Sequence, residues 1–253
     1  MDKLTEEAKA LLEDLKPRSP SAAPGQNLLP PHTRSDVTGE TFQTPVWKAG
    51  DGAPTVFVHG WDDTHRIWRR FAMDFIQKGR PALLMDLPAH GASTLETCNW
   101  QIAGQSISDV CAVHQPIDAI ITHSFGSLAA AEAISSGAAC DYLVMIAPPL
   151  EPWTERQRRK GVPDAVIARA EELLAEQGGH SPSPPDLQAA LRNFEGRILI
   201  IGSRADESCP VAPMETLAAG LDRAEMLVVD DLDHRELALD AGILAQINTF
   251  LGY

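Results

Sequence analysis

Residues Ile120-Ile121-Thr122-His123-Ser124-Phe125-Gly126-Ser127-Leu128-Ala129-Ala130 pass from a β-branched apolar run, through a polar turn, into small residues suited to a helix. The stretch reads strand, sharp turn, helix, with Ser124 at the apex. A serine in that place has two readings. It can be an ordinary helix N-cap. Alternatively, it sits in a tight elbow of the G-x-S-x-G kind, where small neighbours let the turn close, the hydroxyl projects, and the helix N-terminus favours developing negative charge. Thr122 stands at the first glycine position of that pattern.

The strand feeding this turn is one of six apolar runs, at 55–59, 82–85, 119–122, 143–147, 198–201 and 226–229, most of them separated by segments of helical length. Runs without polar alternation suit a parallel sheet covered on both faces. Two weaker strands are expected ahead of them, at 37–42 and 45–48. The predicted class is α/β, with a mostly parallel central sheet of about eight strands and helices on both faces. In such sheets chemistry gathers in loops at the carboxyl ends of the strands.

Several of those loops carry polar residues that fit together. The first strong strand runs Val56-Phe57-Val58-His59-Gly60-Trp61, and the second leads into Asp86-Leu87-Pro88-Ala89-His90-Gly91-Ala92-Ser93. With the elbow that follows, this order resembles the α/β-hydrolase family, which carries H-G-aromatic, D-x-P-G-H-G-x-S and the elbow in sequence. Ala89 replaces the first glycine of the middle motif. The resemblance covers about residues 45–253. It includes Gly202-Ser203-Arg204-Ala205-Asp206-Glu207-Ser208-Cys209-Pro210, similar to the family's acid loop, and Asp230-Asp231-Leu232-Asp233-His234-Arg235-Glu236, where the family places its histidine. The order Ser124, Asp206, His234 is the Ser…Asp…His order of this fold.

The resemblance implies roles for these residues. A serine hydroxyl needs a general base to become nucleophilic at neutral pH. His234 would serve, with Asp206 fixing its tautomer and stabilising its cation. The backbone N–H groups of Trp61 and Phe125 match the family's oxyanion positions. Glu151, Glu207, Asp230, Asp231 and Asp233 compete with Asp206 on sequence, the clustered aspartates reading as a solvated turn. His59 and His90 read as hydrogen-bonding to backbone. His123 either lines the pocket or packs beneath the serine, and His32, His65, His114 and His180 read as surface residues.

Residues 148–195 exceed what one crossover needs. Val166, Ile167, Ala170, Leu173 and Leu174 form a helical stripe opened by Pro163 and closed by Gly178-Gly179, and Leu187, Ala190, Leu191 and Phe194 form a shorter one. By resemblance this insertion is a lid that shapes specificity. Trp61 and Trp153 are candidate pocket walls, with ordinary aromatic packing as the competing reading.

Composition narrows the partners. The chain has 253 residues, 44% hydrophobic and 22% charged, with 21 Lys+Arg against 35 Asp+Glu and a net charge of −14. Such a field repels polyanions, which argues against nucleic acid and anionic membranes. Cys98, Cys111, Cys140 and Cys209 form no C-x-x-C pair and no cluster with histidines, so neither a disulfide framework nor a metal site is expected. Free thiols and the lack of a secretory signal pattern place the expected location in the cytoplasm. Leu4, Ala8, Leu11, Leu12 and Leu15 predict an amphipathic helix over 3–16, ended by Pro17. A Pro-rich linker follows to residue 35, and the globular domain is expected over 36–253. The stripe of the first helix must cover its own domain or a second subunit, so a homodimer through it is one expectation.

The resemblance therefore implies a serine hydrolase cleaving a small or medium carboxylic ester or thioester through an acyl-enzyme, without metal or organic cofactor. Lactone opening, amide hydrolysis, carbon–carbon bond hydrolysis and peracid formation suit the same three residues. Hydroxynitrile-lyase-like chemistry and non-catalytic ligand binding stand as alternatives of other classes.

Overall fold

The computed structural model describes residues 2–18, 29–176 and 181–253. Among them the strands are β1 (Thr33–Thr38), β2 (Gln43–Ala49), β3 (Thr55–Val58), β4 (Ala82–Met85), β5 (Ala119–His123), β6 (Tyr142–Ile146), β7 (Arg197–Ser203) and β8 (Ala224–Val229). The helices are α1 (Lys3–Glu13), α2 (Arg69–Gln77), α3 (Trp100–His114), α4 (Phe125–Ser135), α5 (Trp153–Arg159), α6 (Asp164–Glu176), α7 (Leu187–Leu191), α8 (Val211–Ala219) and α9 (Ala241–Phe250). The strands form one eight-stranded sheet in the order β1-β2-β4-β3-β5-β6-β7-β8. Only the β1–β2 and β2–β4 pairs are antiparallel; from β4 to β8 the sheet is parallel.

The apolar runs fall on strands because both faces of the inner sheet are covered. Every residue of β3, β4 and β5 is buried, and Phe57, Leu83, Leu84, Met85, Ile120 and Ile121 are among the largest side chains fully withdrawn from water. Strand β3 pairs with β4 on one side and β5 on the other, so the chain order reverses there. A crevice forms at the carboxyl end of such a switch point. Helix α4 enters it closely: a Cβ on Gly126 would lie 2.6 Å from the His59 carbonyl oxygen and 2.9 Å from that of Val58. Only glycine allows that approach.

The first edge departs from expectation. Strand β1 begins at Thr33, inside the segment read as linker, and ends at Thr38, where a turn closed by Gly39 N–H to Phe42 O at 2.9 Å replaces the strand expected over 37–42. Only Val37 of β1 is buried, so pairing with β2, from Thr33 opposite Lys48 to Thr38 opposite Gln43, defines it more than its composition does.

A second, smaller core lies outside the sheet. Ala8 of α1 packs with Trp153 of α5 and with Val166, Ile167, Ala170 and Leu173 of α6, flanked by Leu11, Leu12, Leu15 and Val162. Asp2 caps α1 by accepting from the Thr5 amide at 2.8 Å, and the helix ends at Glu13, short of the expected 16. Much of the stripe expected to serve a homodimer thus packs within the same chain, with Leu11, Leu12 and Leu15 partly buried, while Leu4 stays exposed. Past the helix, the Arg18 amide donates to Asp62 Oδ1 at 2.6 Å. Most of the Pro-rich linker, the Gly178-Gly179 stop and His180 lie outside the described residues. Among the described residues no helix is long and apolar enough to cross a membrane, and all four cysteines are free.

Candidate active site

Ser124 sits between β5 and α4 with φ 49° and ψ −123°, a conformation that side chains rarely adopt. Its amide donates to the Ile146 carbonyl of β6 at 2.8 Å, which ties the elbow to the sheet, and its own carbonyl accepts from Ser127 at 2.9 Å. Thr122 does not obstruct the turn. Its hydroxyl faces away, bonded to Ser127 Oγ at 2.8 Å and donating to the Val144 carbonyl at 3.0 Å.

Asp206 follows β7 and His234 follows β8. Asp206 Oδ2 lies 2.7 Å from His234 Nδ1, while Oδ1 accepts the amides of Ser208 at 2.8 Å and Cys209 at 3.0 Å. Burial pushes this carboxyl up, but the hydrogen bond and charge of His234, with the two amides, outweigh it and hold Asp206 below its ordinary value. The His234 turn is built by its neighbours. Asp233 Oδ1 accepts the amides of Arg235 and Glu236, both at 2.8 Å, and Glu236 Oε2 accepts the Asp233 amide at 2.8 Å.

Ser124 reaches this pair through its neighbour. His123 Nε2 donates to the His234 carbonyl at 2.8 Å, with the two rings 4.8 Å apart. A carbonyl can only accept, so Nε2 carries the proton. Burial pushes the His123 ring down to about 3, with the neighbouring His234 adding to the effect, so it stays neutral. His123 is 4% exposed. Among the described residues no hydrogen bond joins Ser124 Oγ to the His234 ring; in substrate-free sites such contacts are commonly long and tighten in the complex.

The facing loop follows β3. His59 Nδ1 donates to the Gly60 carbonyl at 2.7 Å and His59 Nε2 accepts the Leu87 amide at 3.0 Å. Burial pushes this ring down to about 4, with the His90 charge adding to the effect and Asp86 opposing it, so the tautomer is fixed and neutral. The C=O and N–H of a trans peptide point in opposite directions. Fixing the Gly60 carbonyl therefore fixes the direction of the Trp61 N–H. Gly60 lies against the elbow, where a Cβ would meet His123 Nδ1 at 3.0 Å and Ser124 Cβ at 3.1 Å. Among the described residues neither the Trp61 nor the Phe125 amide has an acceptor. The Trp61 ring packs edge-on against Phe125 at 4.8 Å and His90 at 5.1 Å.

Three of the five competing acids are occupied elsewhere. Glu151 pairs with Arg159 at 2.9 Å, Asp230 with Arg204, and Asp233 caps the His234 turn. Trp153, expected as a candidate pocket wall, is 1% exposed and committed to the second core with Ala8 and α6. His65, expected at the surface, is buried: it stacks on Trp47 at 3.5 Å and bonds Asp86 Oδ1 through both its amide, at 2.7 Å, and Nδ1, at 2.8 Å. Asp86 also accepts the Ala92 amide at 2.8 Å. Burial pushes Asp86 up, but the hydrogen bond and charge of His65 prevail and hold it below its ordinary value. The D-x-P signal located Asp86; nothing local pointed to His65, which precedes it by 21 positions.

Two further groups were not visible in the sequence. Arg235 Nη2 reaches Asp63 Oδ2 at 3.3 Å, linking the histidine turn to the loop that carries Trp61. Cys209 offers a sulfur that, with Asp206 and His234, forms a set of possible metal ligands within 4.8 Å of one another. Burial, with the Asp206 charge, pushes that thiol up and keeps it protonated.

The alpha/beta hydrolase family model matches residues 55–246. No curated protein matches the sequence. Among solved structures, an esterase of Pyrococcus furiosus is similar over 94% of this chain and 96% of its own, with 16% identity and a TM-score of 0.73. An esterase of a Rhodococcus species is similar over 87% and 98%, with 14% identity and a TM-score of 0.67. An E-2-(acetamidomethylene)succinate hydrolase is similar over 88% and 100%, with 18% identity and a TM-score of 0.68. At these identities the likeness speaks for the fold. The family model spans well over half of the sequence and the sheet has the matching topology: the chain belongs to the alpha/beta hydrolase family.

Proposed function

We propose that the chain is a serine hydrolase that cleaves a small or medium carboxylic ester or thioester through an acyl-enzyme. Ser124 Oγ attacks the acyl carbonyl while His234 Nε2 takes its proton, and the Asp206 carboxylate on Nδ1 stabilises the imidazolium that results. The oxyanion of the tetrahedral intermediate is held by the Trp61 and Phe125 amides, the latter at the positive end of α4. Collapse expels the alcohol or thiol, which takes the proton from His234. Water then attacks the acyl-Ser124 ester with His234 again as base, releasing the acid and restoring the serine. The reaction so written uses no cofactor.

One observation carries the reading. The 2.7 Å Asp206–His234 bond lies at the same end of the sheet as a serine held at φ 49°, with two acceptor-free amides beside it. The presence of two esterases and another hydrolase among the similar structures is consistent with it. The insertion 148–195 acts in this reading as the lid that limits substrate size.

Intact-mass spectrometry after fluorophosphonate treatment tests the reading without knowledge of the substrate. The expected result is one adduct on the wild type, none on Ser124→Ala, and labelling of His234→Ala slowed by about 100-fold or more. No adduct on folded wild type would overturn the acyl-enzyme and leave lyase-like chemistry or ligand binding.

A further inference from the structure

Helix α5 carries three arginines, and two of them are paired. Arg158 bonds Glu155 at 2.6 Å and Asp164 at 2.7 Å. Arg159 bonds Glu151 at 2.9 Å and donates to the carbonyl oxygens of Glu207 and Ser208 in the acid loop. The half-buried side chain of Arg156 has no hydrogen bond or ion pair among the described residues, and its Nε is buried without a partner. It lies one turn after Trp153, which is 1% exposed.

An arginine Nε withdrawn from water without a hydrogen-bond partner is costly, even where the rest of the side chain is half-buried. Lack of acids does not explain it, since the chain holds 35 Asp+Glu against 21 Lys+Arg. Within electrostatic reach of Arg156 lie the Cys209 thiol, Glu151, which Arg159 already engages, and Arg159 itself. The Cys209 sulfur lies within 4.8 Å of ligand atoms of both Asp206 and His234. Arg159, three residues on in the same short helix, is bonded to the acid loop, so Arg156 stands on the acid side of the site with its planar donor fork uncommitted.

We infer that Arg156 is the recognition point for a carboxylate borne by the acyl part of the substrate, so that the ester or thioester cleaved is that of a dicarboxylic acid. The guanidinium fork matches both oxygens of a carboxylate. A dianionic phosphate would face stronger repulsion from Glu151 and Asp206 than a carboxylate does. This inference rests on the acyl-transfer reading for the word substrate, but not for the existence of the anion site.

The test has two arms. In the first, kcat/KM is compared for the mono-p-nitrophenyl ester of glutaric acid and for p-nitrophenyl hexanoate, in wild type, Arg156→Gln, Arg156→Lys and Arg158→Gln. Wild type should favour the glutarate ester. Arg156→Gln should cut that preference about 10- to 100-fold, chiefly through KM, as loss of a charge-assisted bond predicts. Arg156→Lys should restore part of the preference, and Arg158→Gln should keep it. In the second arm, calorimetry measures binding of glutarate itself, which needs no turnover; it should bind wild type and be lost in Arg156→Gln. Equal preference in wild type and Arg156→Gln, or glutarate binding that is absent from wild type or the same in both, would overturn the inference. Inorganic phosphate binding more tightly than glutarate would overturn the choice of carboxylate. If neither ester turns over and no fluorophosphonate adduct forms, the hydrolase reading fails alone, and Arg156-dependent glutarate binding still supports the anion site.

Discussion

Backbone strain in this protein is confined to one end of the sheet. Among the described residues the non-glycine positions with positive φ are Asp62, Ala89, Ser124 and Ala147, at 58°, 61°, 49° and 50°. Each follows a parallel strand, in turn β3, β4, β5 and β6. A side chain in this region costs of order 1–3 kcal/mol and persists where the surroundings over-determine it. At Ser124 the surroundings are the Ile146 carbonyl, the close Gly60 and the start of α4, and together they hold the hydroxyl out from the turn. The strain can be read out separately from the chemistry. Ser124→Ala and Ser124→Gly both remove the hydroxyl, but only glycine releases the positive φ, against a loss of about 0.5–1 kcal/mol for the greater freedom of an unfolded glycine. Ser124→Gly is therefore expected to melt above Ser124→Ala by about 2–4 °C, the shift that roughly 1 kcal/mol gives in a chain of this size. Calorimetric melting of the two variants checks this, and an alanine variant at least as stable as the glycine one would contradict it.

Elements differ in how firmly they belong to the sheet. Strands β3 to β7 and helix α4 draw on the main core, whereas α1, α5 and α6 share a second one built from Ala8, Trp153, Val166, Ile167, Ala170 and Leu173. Two sets of polar contacts connect this layer to the loops of the candidate site: Arg159 to the loop that carries Asp206, and the Arg18 amide to Asp62 beside Trp61. Arg169 of α6 adds a 3.4 Å contact to Thr5 of α1. Helix α1 is short, and isolated helices of about 11 residues are marginal in water, so its order depends on the α6 face. Removal of residues 1–18 is expected to uncover Trp153 and its neighbours while leaving the sheet folded. Tryptophan emission should shift to the red, an apolar dye should bind, and the main unfolding transition should stay within about 1 kcal/mol of the full chain, because no main-core residue is lost. Light scattering should show the same oligomeric state as the full chain, since Ala8 and most of the apolar stripe of α1 pack within its own chain. Unshifted emission would contradict the first expectation, and a halved mass the second.

For the whole molecule, what could be read in advance divides by range. The inner strands were legible because burial on both faces writes an unbroken apolar run into neighbouring residues, and the Ser124, Asp206 and His234 positions were legible because each lies just past such a run. Strand β1 was misplaced because its single buried residue, Val37, gives no pattern and its partner β2 fixes its bounds. An apolar stripe does not name what covers it, so α1 could not be assigned to α6 across the length of the sheet. The His65–Asp86 bond and the unpaired Arg156 depend on tertiary approach in the same way. Long-range packing also sets the acid response. His59 and His123 are buried and neutral, with pKa values pushed down to about 4 and about 3, whereas both titrate near 6.5 in an unfolded chain. Between those limits the unfolded state binds protons that the native state refuses, so stability rises with pH across the window and falls on acidification. Each histidine contributes a slope of up to about 1.4 kcal/mol per pH unit. Asp63 and Asp118, raised chiefly by burial, take up protons more readily in the native state and oppose this toward the acid end. Loss of net negative charge also opposes it, through relief of self-repulsion, and about 0.15 M salt screens that effect. His90 and His114, also lowered chiefly by burial, add to the same difference, so urea midpoints at that ionic strength should fall steadily from pH 6.5 to pH 5 with a proton difference of about two or more. His123→Asn should reduce that difference by about one, because the proton refused by the native ring is no longer gained on unfolding. A midpoint independent of pH across this interval would mean that these rings are already protonated, or already exposed, in the folded chain.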